Sequence, residues 1–115
     1  MEDEISNLYI HPAIGASNTN TYGEENIKNL LEKYRSLKEP DSEKMIEIVK
    51  VYSQSGDLIS SFVSVAVLHA LGMNEEVDAA YDWAKTQNDA RLYSSHFDIG
   101  IYIADYLNYW LDQSI

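Results

Sequence analysis

Fourteen consecutive residues, Leu58 to Leu71, carry no Asp, Glu, Lys or Arg, and this run constrains the fold more than any other feature of the chain. Leu58, Ile59, Phe62, Val63, Val65, Ala66, Val67 and Leu68 leave no polar side on a helix, and Ser60, Ser61 and Ser64 are small interruptions. A helix that is apolar nearly all round belongs at the centre of a domain, covered on every side. The β-branched residues would also suit a strand, but fourteen residues without two-residue alternation favour a helix. The run is too short to span a bilayer. At 115 residues, 45% of them hydrophobic, the chain is predicted to fold as one domain with a full core rather than as a disordered segment.

The remaining periodicity predicts an all-α domain of about five helices over residues 23–115, preceded by an irregular N-terminal arm of residues 1–22. In the arm, His11-Pro12 disfavours helix, Gly15 to Thr21 is a polar, turn-rich loop, and Leu8-Tyr9-Ile10 suits a short extended segment. A first helix is predicted from about Gly23 to Leu37. Thr21 and Glu24 stand at capping-box spacing, Ile27, Leu30, Leu31 and Tyr34 form its inner stripe, and Glu39-Pro40 stops it. Asp41 or Ser42 is expected to cap a second helix that turns Met45, Ile48, Val49 and Tyr52 inward and ends at Ser55-Gly56. Asp57 is expected to cap the central helix, and Gly72 to stop it. Asn74 is the expected cap of a fourth helix, with Met73 as its hydrophobic staple and Val77, Ala80, Tyr81 and Ala84 facing inward. Ser95 with Asp98 gives a Ser-x-x-Asp start for a last helix ending near Gln113. Alternation of Phe97, Ile99, Ile101 and Ile103 keeps a strand open as a minor alternative there.

Residues Ala70 to Tyr81 resemble the turn of a tetratricopeptide- or pentatricopeptide-type helical hairpin, in which a Leu-Gly turn leads into a helix whose small residues allow close packing. The likeness covers a dozen residues, once, and solenoids need at least three units. It implies an antiparallel helix pair, not a repeat protein.

In the last helix, Asp98, Tyr102, Asp105, Tyr109 and Asp112 are spaced +4, +3, +4, +3. On an α-helix these fall in one stripe. Around them stand Phe97, Ile99, Ile101, Ile103, Ala104, Tyr106, Leu107, Trp110 and Leu111, so the helix is expected to be buried over most of its circumference and to show solvent a ladder of carboxylates and phenols. Glu75, Asp78 and Asp82 form a second acidic stripe on the fourth helix. Overall, 19 acids against 8 bases give a net charge of −11. Residues 1–50 hold ten acids and six bases, a balance of −4, whereas residues 51–115 hold nine acids and two bases, a balance of −7. Such a field repels nucleic acid and anionic membranes and attracts basic proteins, although net charge also serves solubility alone.

Motifs for chemistry are absent. The five glycines are isolated, so there is no phosphate loop, and there is no Gly-x-Ser-x-Gly. With no cysteine there is no thiol nucleophile, disulfide or thiolate metal site. His11, His69 and His96 lack metal-ligand spacing; His69 reads as a satisfied core or helix-end histidine, and His96 as a loop or capping residue. No enzyme activity, cofactor or metal is expected, and no direct nucleic-acid contact, because aromatic-studded basic patches are missing. The acidic start Met1-Glu2-Asp3-Glu4, with no apolar run behind it, is unlike a secretory leader, and the lack of cysteine fits a reducing compartment. The chain is expected in the cytoplasm.

Tyrosine buries large area at small rotamer cost and keeps a hydroxyl for a wet interface. Aspartates beside it accept charge-assisted bonds from Lys and Arg, while the rings offer cation–π contact. The alternative is that Tyr102 and Tyr109 pack against the N-terminal arm and leave the aspartates as solvated rim. In size, charge and this Asp/Tyr stripe the chain resembles the acidic bacterial immunity proteins that act against nuclease toxins of the colicin and contact-dependent-inhibition types. The resemblance implies a small cytoplasmic inhibitor that binds a basic nuclease one-to-one and covers its active site or nucleic-acid surface. A second reading is a phage nucleic-acid mimic that blocks restriction or CRISPR machinery, which requires acids on several faces; the first two helices instead carry mixed charge. A self-associating module ranks lower, because aspartate stripes facing one another repel.

Overall fold

The computed structural model describes residues 24–113, with side chains over 26–108. The predicted arm of residues 1–22 lies outside the described residues, as does Thr21 of the expected capping pair. Five helices and no strand make up the described residues: α1 (Glu24–Ser36), α2 (Asp41–Ser53), α3 (Leu58–Ala70), α4 (Asn74–Ala84) and α5 (Ala90–Gln113). The fold is all-α and forms one domain.

The uncharged run is the centre of the molecule. Every residue from Ser60 to Leu68 is buried, and α3 packs against each of the other four helices. A buried hydroxyl must find a partner, and all three serines do. Ser60 Oγ donates to Asp57 Oδ2 at 2.5 Å, Ser61 Oγ to the Ser55 carbonyl, and Ser64 Oγ to the Ser60 carbonyl at 2.7 Å. Asp57 caps α3 as expected, accepting from the Ser60 N–H at 3.2 Å.

The stop of α3 is a Schellman closure. Met73 N–H donates to the Leu68 carbonyl and Gly72 N–H to the His69 carbonyl, both at 3.0 Å, with Gly72 at φ +76°. A side chain in this left-handed conformation costs roughly 1–2 kcal/mol, partly offset by lower entropy of the unfolded chain. Gly72→Ala is therefore expected to lower unfolding stability by about 1 kcal/mol and the melting temperature by several degrees, measured by thermal denaturation.

Two expected caps move by one residue. Pro40, not Asp41 or Ser42, occupies the cap position of α2 and makes no side-chain cap bond. The Pro40 carbonyl already accepts the Lys44 N–H at 3.1 Å, which leaves Asp41 inside the first turn beside Glu43, where the helix dipole favours acids. Likewise Met73, not Asn74, is the cap residue of α4, because the Met73 carbonyl accepts the Val77 N–H at 3.1 Å.

The largest correction concerns the last helix. It begins at Ala90 rather than Ser95, with the Asp89 carbonyl accepting from Tyr93 N–H at 3.1 Å. Tyr93 is the reason: it is buried one turn before Phe97 and continues the inner stripe Tyr93, Phe97, Gly100, Ala104, Leu107. The strand alternative for residues 97–103 falls with it. His96 consequently lies inside the helix, its Nδ1 2.9 Å from the Leu92 carbonyl and its ring edge-on to Phe62. It is neither in a loop nor at a cap.

Gly100 sets the distance between α3 and α5. A Cβ built there would lie 3.0 Å from the Phe62 carbonyl oxygen and 3.3 Å from Ala66 Cβ. Tyr93 meets Gly56, Gly100 meets Phe62 and Ala66, and Asn108 meets Ala70, so α5 runs parallel to α3. Tyr81 packs on Phe97 and Trp83 on Tyr93, so α4 runs antiparallel to α5 and hence to α3. The antiparallel pair implied by the Leu71-Gly72 turn is present.

Candidate protein-docking face

The outward side of α5 is built by the +3/+4 spacing that also builds its buried side. Rotated away from Tyr93, Phe97 and Ala104, the residues Asp98, Tyr102 and Asp105 all come to the surface. Tyr102 is 75% exposed. The backbone of Tyr109 and Asp112 continues the same helix, while their side chains lie outside the described residues.

Both described aspartates are held from below. Asp98 Oδ1 accepts the Tyr81 hydroxyl at 2.6 Å, and Tyr81 itself stands edge-on to Phe97 with ring centroids 5.3 Å apart. Asp105 Oδ1 lies 2.8 Å from His69 Nε2. A carboxylate only accepts, so that nitrogen carries the proton. His69 is thus a helix-end histidine tied to α5, as one reading of the sequence had it. Asn108 Nδ2 adds a 3.0 Å bond to the Ala70 carbonyl. The aspartates therefore do two jobs: each pins α5 to a neighbouring helix, and each keeps further acceptor positions on its carboxylate.

Burial pushes the Tyr81 phenol above the ordinary value of 10.0, and the Asp98 hydrogen bond and negative charge push in the same direction. A pKa raised in the folded state means the native form holds its proton more tightly than the unfolded chain. This stabilisation is complete below about pH 10 and is lost as pH rises through the higher folded value. Tyr81→Phe is expected to cost about 0.5–1.5 kcal/mol near neutrality. Between about pH 9 and about pH 11 the wild type should lose more stability than the variant, read by denaturant unfolding at both pH values.

Glu75, Asp78 and Asp82 are all exposed on α4. Asp82 lies 3.4 Å from Lys85 Nζ, both side chains 76% exposed, a surface pair of small worth. Tyr81 sits between Asp78 and Asp82 in sequence and reaches Asp98, so the seam of α4 and α5 joins the two acidic stripes. Sequence reasoning had Tyr81 only as a core residue; its reach to Asp98 depends on how two helices cross, which no local pattern carries.

One expectation about α5 is overturned. The helix is not buried over most of its circumference: Leu92, Ile99 and Tyr106 are 46%, 43% and 50% exposed. Ile99 and Tyr106 had been counted among the apolar surroundings of the stripe. The narrow α3–α5 approach at Gly100 seats only one side of α5.

On the opposite part of the sequence, an open groove of ≈ 530 Å³ runs beside α2, lined by Tyr34, Pro40, Ile46 and Met73 among Glu39, Glu43, Glu47 and Lys44. Among the described residues no group of three His, Asp or Glu side chains is placed to hold a metal ion, and no helix is long and apolar enough to cross a membrane. Comparison with known proteins finds no matching family model, no matching curated protein and no matching solved structure.

Proposed function

We propose that this chain is a non-enzymatic cytoplasmic inhibitor that docks on a basic protein, in the manner of an immunity protein neutralising a cognate bacterial nuclease toxin. Asp98, Tyr102, Asp105, Tyr109 and Asp112 form the primary contact, and Glu75, Asp78 and Asp82 extend it. The observation that carries the reading is Tyr102, three-quarters exposed between two carboxylates already held in place by Tyr81 and His69. A large aromatic surrounded by fixed acceptors is suited to a cationic surface, where desolvated contact and charge-assisted bonds act together. The charge balance of −7 over residues 51–115 draws such a partner in at long range. A phosphate mimic is less well served, because the outward residues of α2 mix Asp41, Glu43 and Glu47 with Lys44 and Lys50.

Co-expression with a basic nuclease domain encoded beside this chain's gene tests the reading. Restored growth, a one-to-one complex, and affinity that falls as salt rises are expected. A nuclease that stays toxic with no complex formed would remove the immunity assignment.

A further inference from the structure

We propose that the outward side of α5 is a seat for a basic amphipathic helix of the partner, laid lengthwise along it; this rests on the docking reading above and specifies the element that docks. Among the described side chains of α5, Leu92, Ile99, Tyr102 and Tyr106 are the exposed large apolar ones. Their spacing of +7, +3 and +4 puts them in one lane. At 1.5 Å per residue the lane is roughly 21 Å long. Single exposed apolar residues are normal, but four in helical register on one element make an organised strip.

The shape of the strip selects its occupant. The described residues contain no strand and hence no sheet edge to which an extended peptide could add. The backbone of α5 is engaged in its own helix. A second helix brings its own backbone bonds already made, and apolar residues at i, i+3 or i+4, and i+7 match the lane.

Charge selects the chemistry. Asp98 and Asp105 run along one side of the lane, and the Tyr81–Asp98 bond leads across to Asp78 and Asp82 on α4. On α5 the sole Lys or Arg is Arg91, at its start. The occupant therefore carries Lys or Arg along the flank that meets these carboxylates. A second copy of this chain does not fit, since each copy brings a net charge of −11 and sets the same aspartates against each other.

The test uses the full chain and two synthetic peptides of about 18 leucine and lysine residues, long enough to cover the lane. One is patterned as an amphipathic helix; the other has the same composition with leucine and lysine alternating. Calorimetry gives affinity and circular dichroism gives peptide helicity on binding. The patterned peptide is expected to bind at least about 10-fold tighter and to gain helix. The paired substitution Ile99→Ser with Tyr102→Ser should erase that preference, while Asp98→Asn with Asp105→Asn should weaken both peptides. Unchanged melting behaviour of the serine variant confirms that its effect is on the surface. Equal binding of both peptides, or a preference that survives Ile99→Ser with Tyr102→Ser, overturns the helix seat and leaves charge-driven docking standing. Binding of neither peptide at low salt overturns the seat and counts against the basic-partner reading too.

Discussion

Phe62→Ala is expected to cost about 3–5 kcal/mol of unfolding stability, a large share of the typical domain total of about 5–15 kcal/mol. Phe62 has no exposed surface and sits where α3 meets α5. Its ring stands edge-on to His96, and its carbonyl faces Gly100 at the closest approach of α3 and α5. Truncation removes the ring's contacts with α5, and Gly100 has no side chain with which to fill the void. Phe62→Leu conserves most of the volume and should cost less than about 1.5 kcal/mol. Denaturant unfolding of the two variants checks the contrast. A small loss for Phe62→Ala would mean that α3 is not the centre on which the other helices depend.

Tyr102→Lys is expected to weaken binding of the basic partner by about 30-fold or more, with folding unaffected. A central aromatic contact carries 2 kcal/mol or more when truncated, which is about 30-fold at 25 °C, and a new cation facing a cationic surface adds repulsion. At 75% exposure the ring contributes little to the core. Lysine is at least as good a helix former as tyrosine, so the change in stability should stay within about 0.5 kcal/mol. Affinity by calorimetry and stability by thermal melting separate the two effects. If instead the variant melts early, Tyr102 belongs to the packing and the docking reading loses its anchor.

How much of this was legible in the sequence differs from element to element. The uncharged run 58–71 announced the central helix, because one element covered by all the others needs no polar side. The caps failed by one residue at Pro40 and Met73, since which carbonyl takes the first helical bond is decided by the preceding turn. The early start of α5 was hidden because Asn88-Asp89 reads as a break, while the burial of Tyr93 becomes apparent only when its hydroxyl meets the Gly56 carbonyl, 37 residues away, at 2.8 Å. On the docking face, periodicity placed Asp98, Tyr102 and Asp105 outward correctly. It did not reveal Tyr81 and His69 as their supports, because those pairings cross from one helix to another. Nor did it show that Leu92, Ile99 and Tyr106 share the exposed side, since an apolar residue in a helix reads as core until the width of its neighbour is known. Gly100 looked like one of five isolated glycines and turned out to be the contact that fixes that width.

The most direct test of the docking reading is an amide hydrogen-exchange footprint of the complex between this chain and the basic nuclease domain proposed as its partner. Protection is expected along α5 from Asp98 through Asp112 and on α4 around Asp78 and Asp82. Protection confined to the groove of Tyr34, Pro40, Ile46 and Met73, with α5 exchanging as in the free chain, would contradict it.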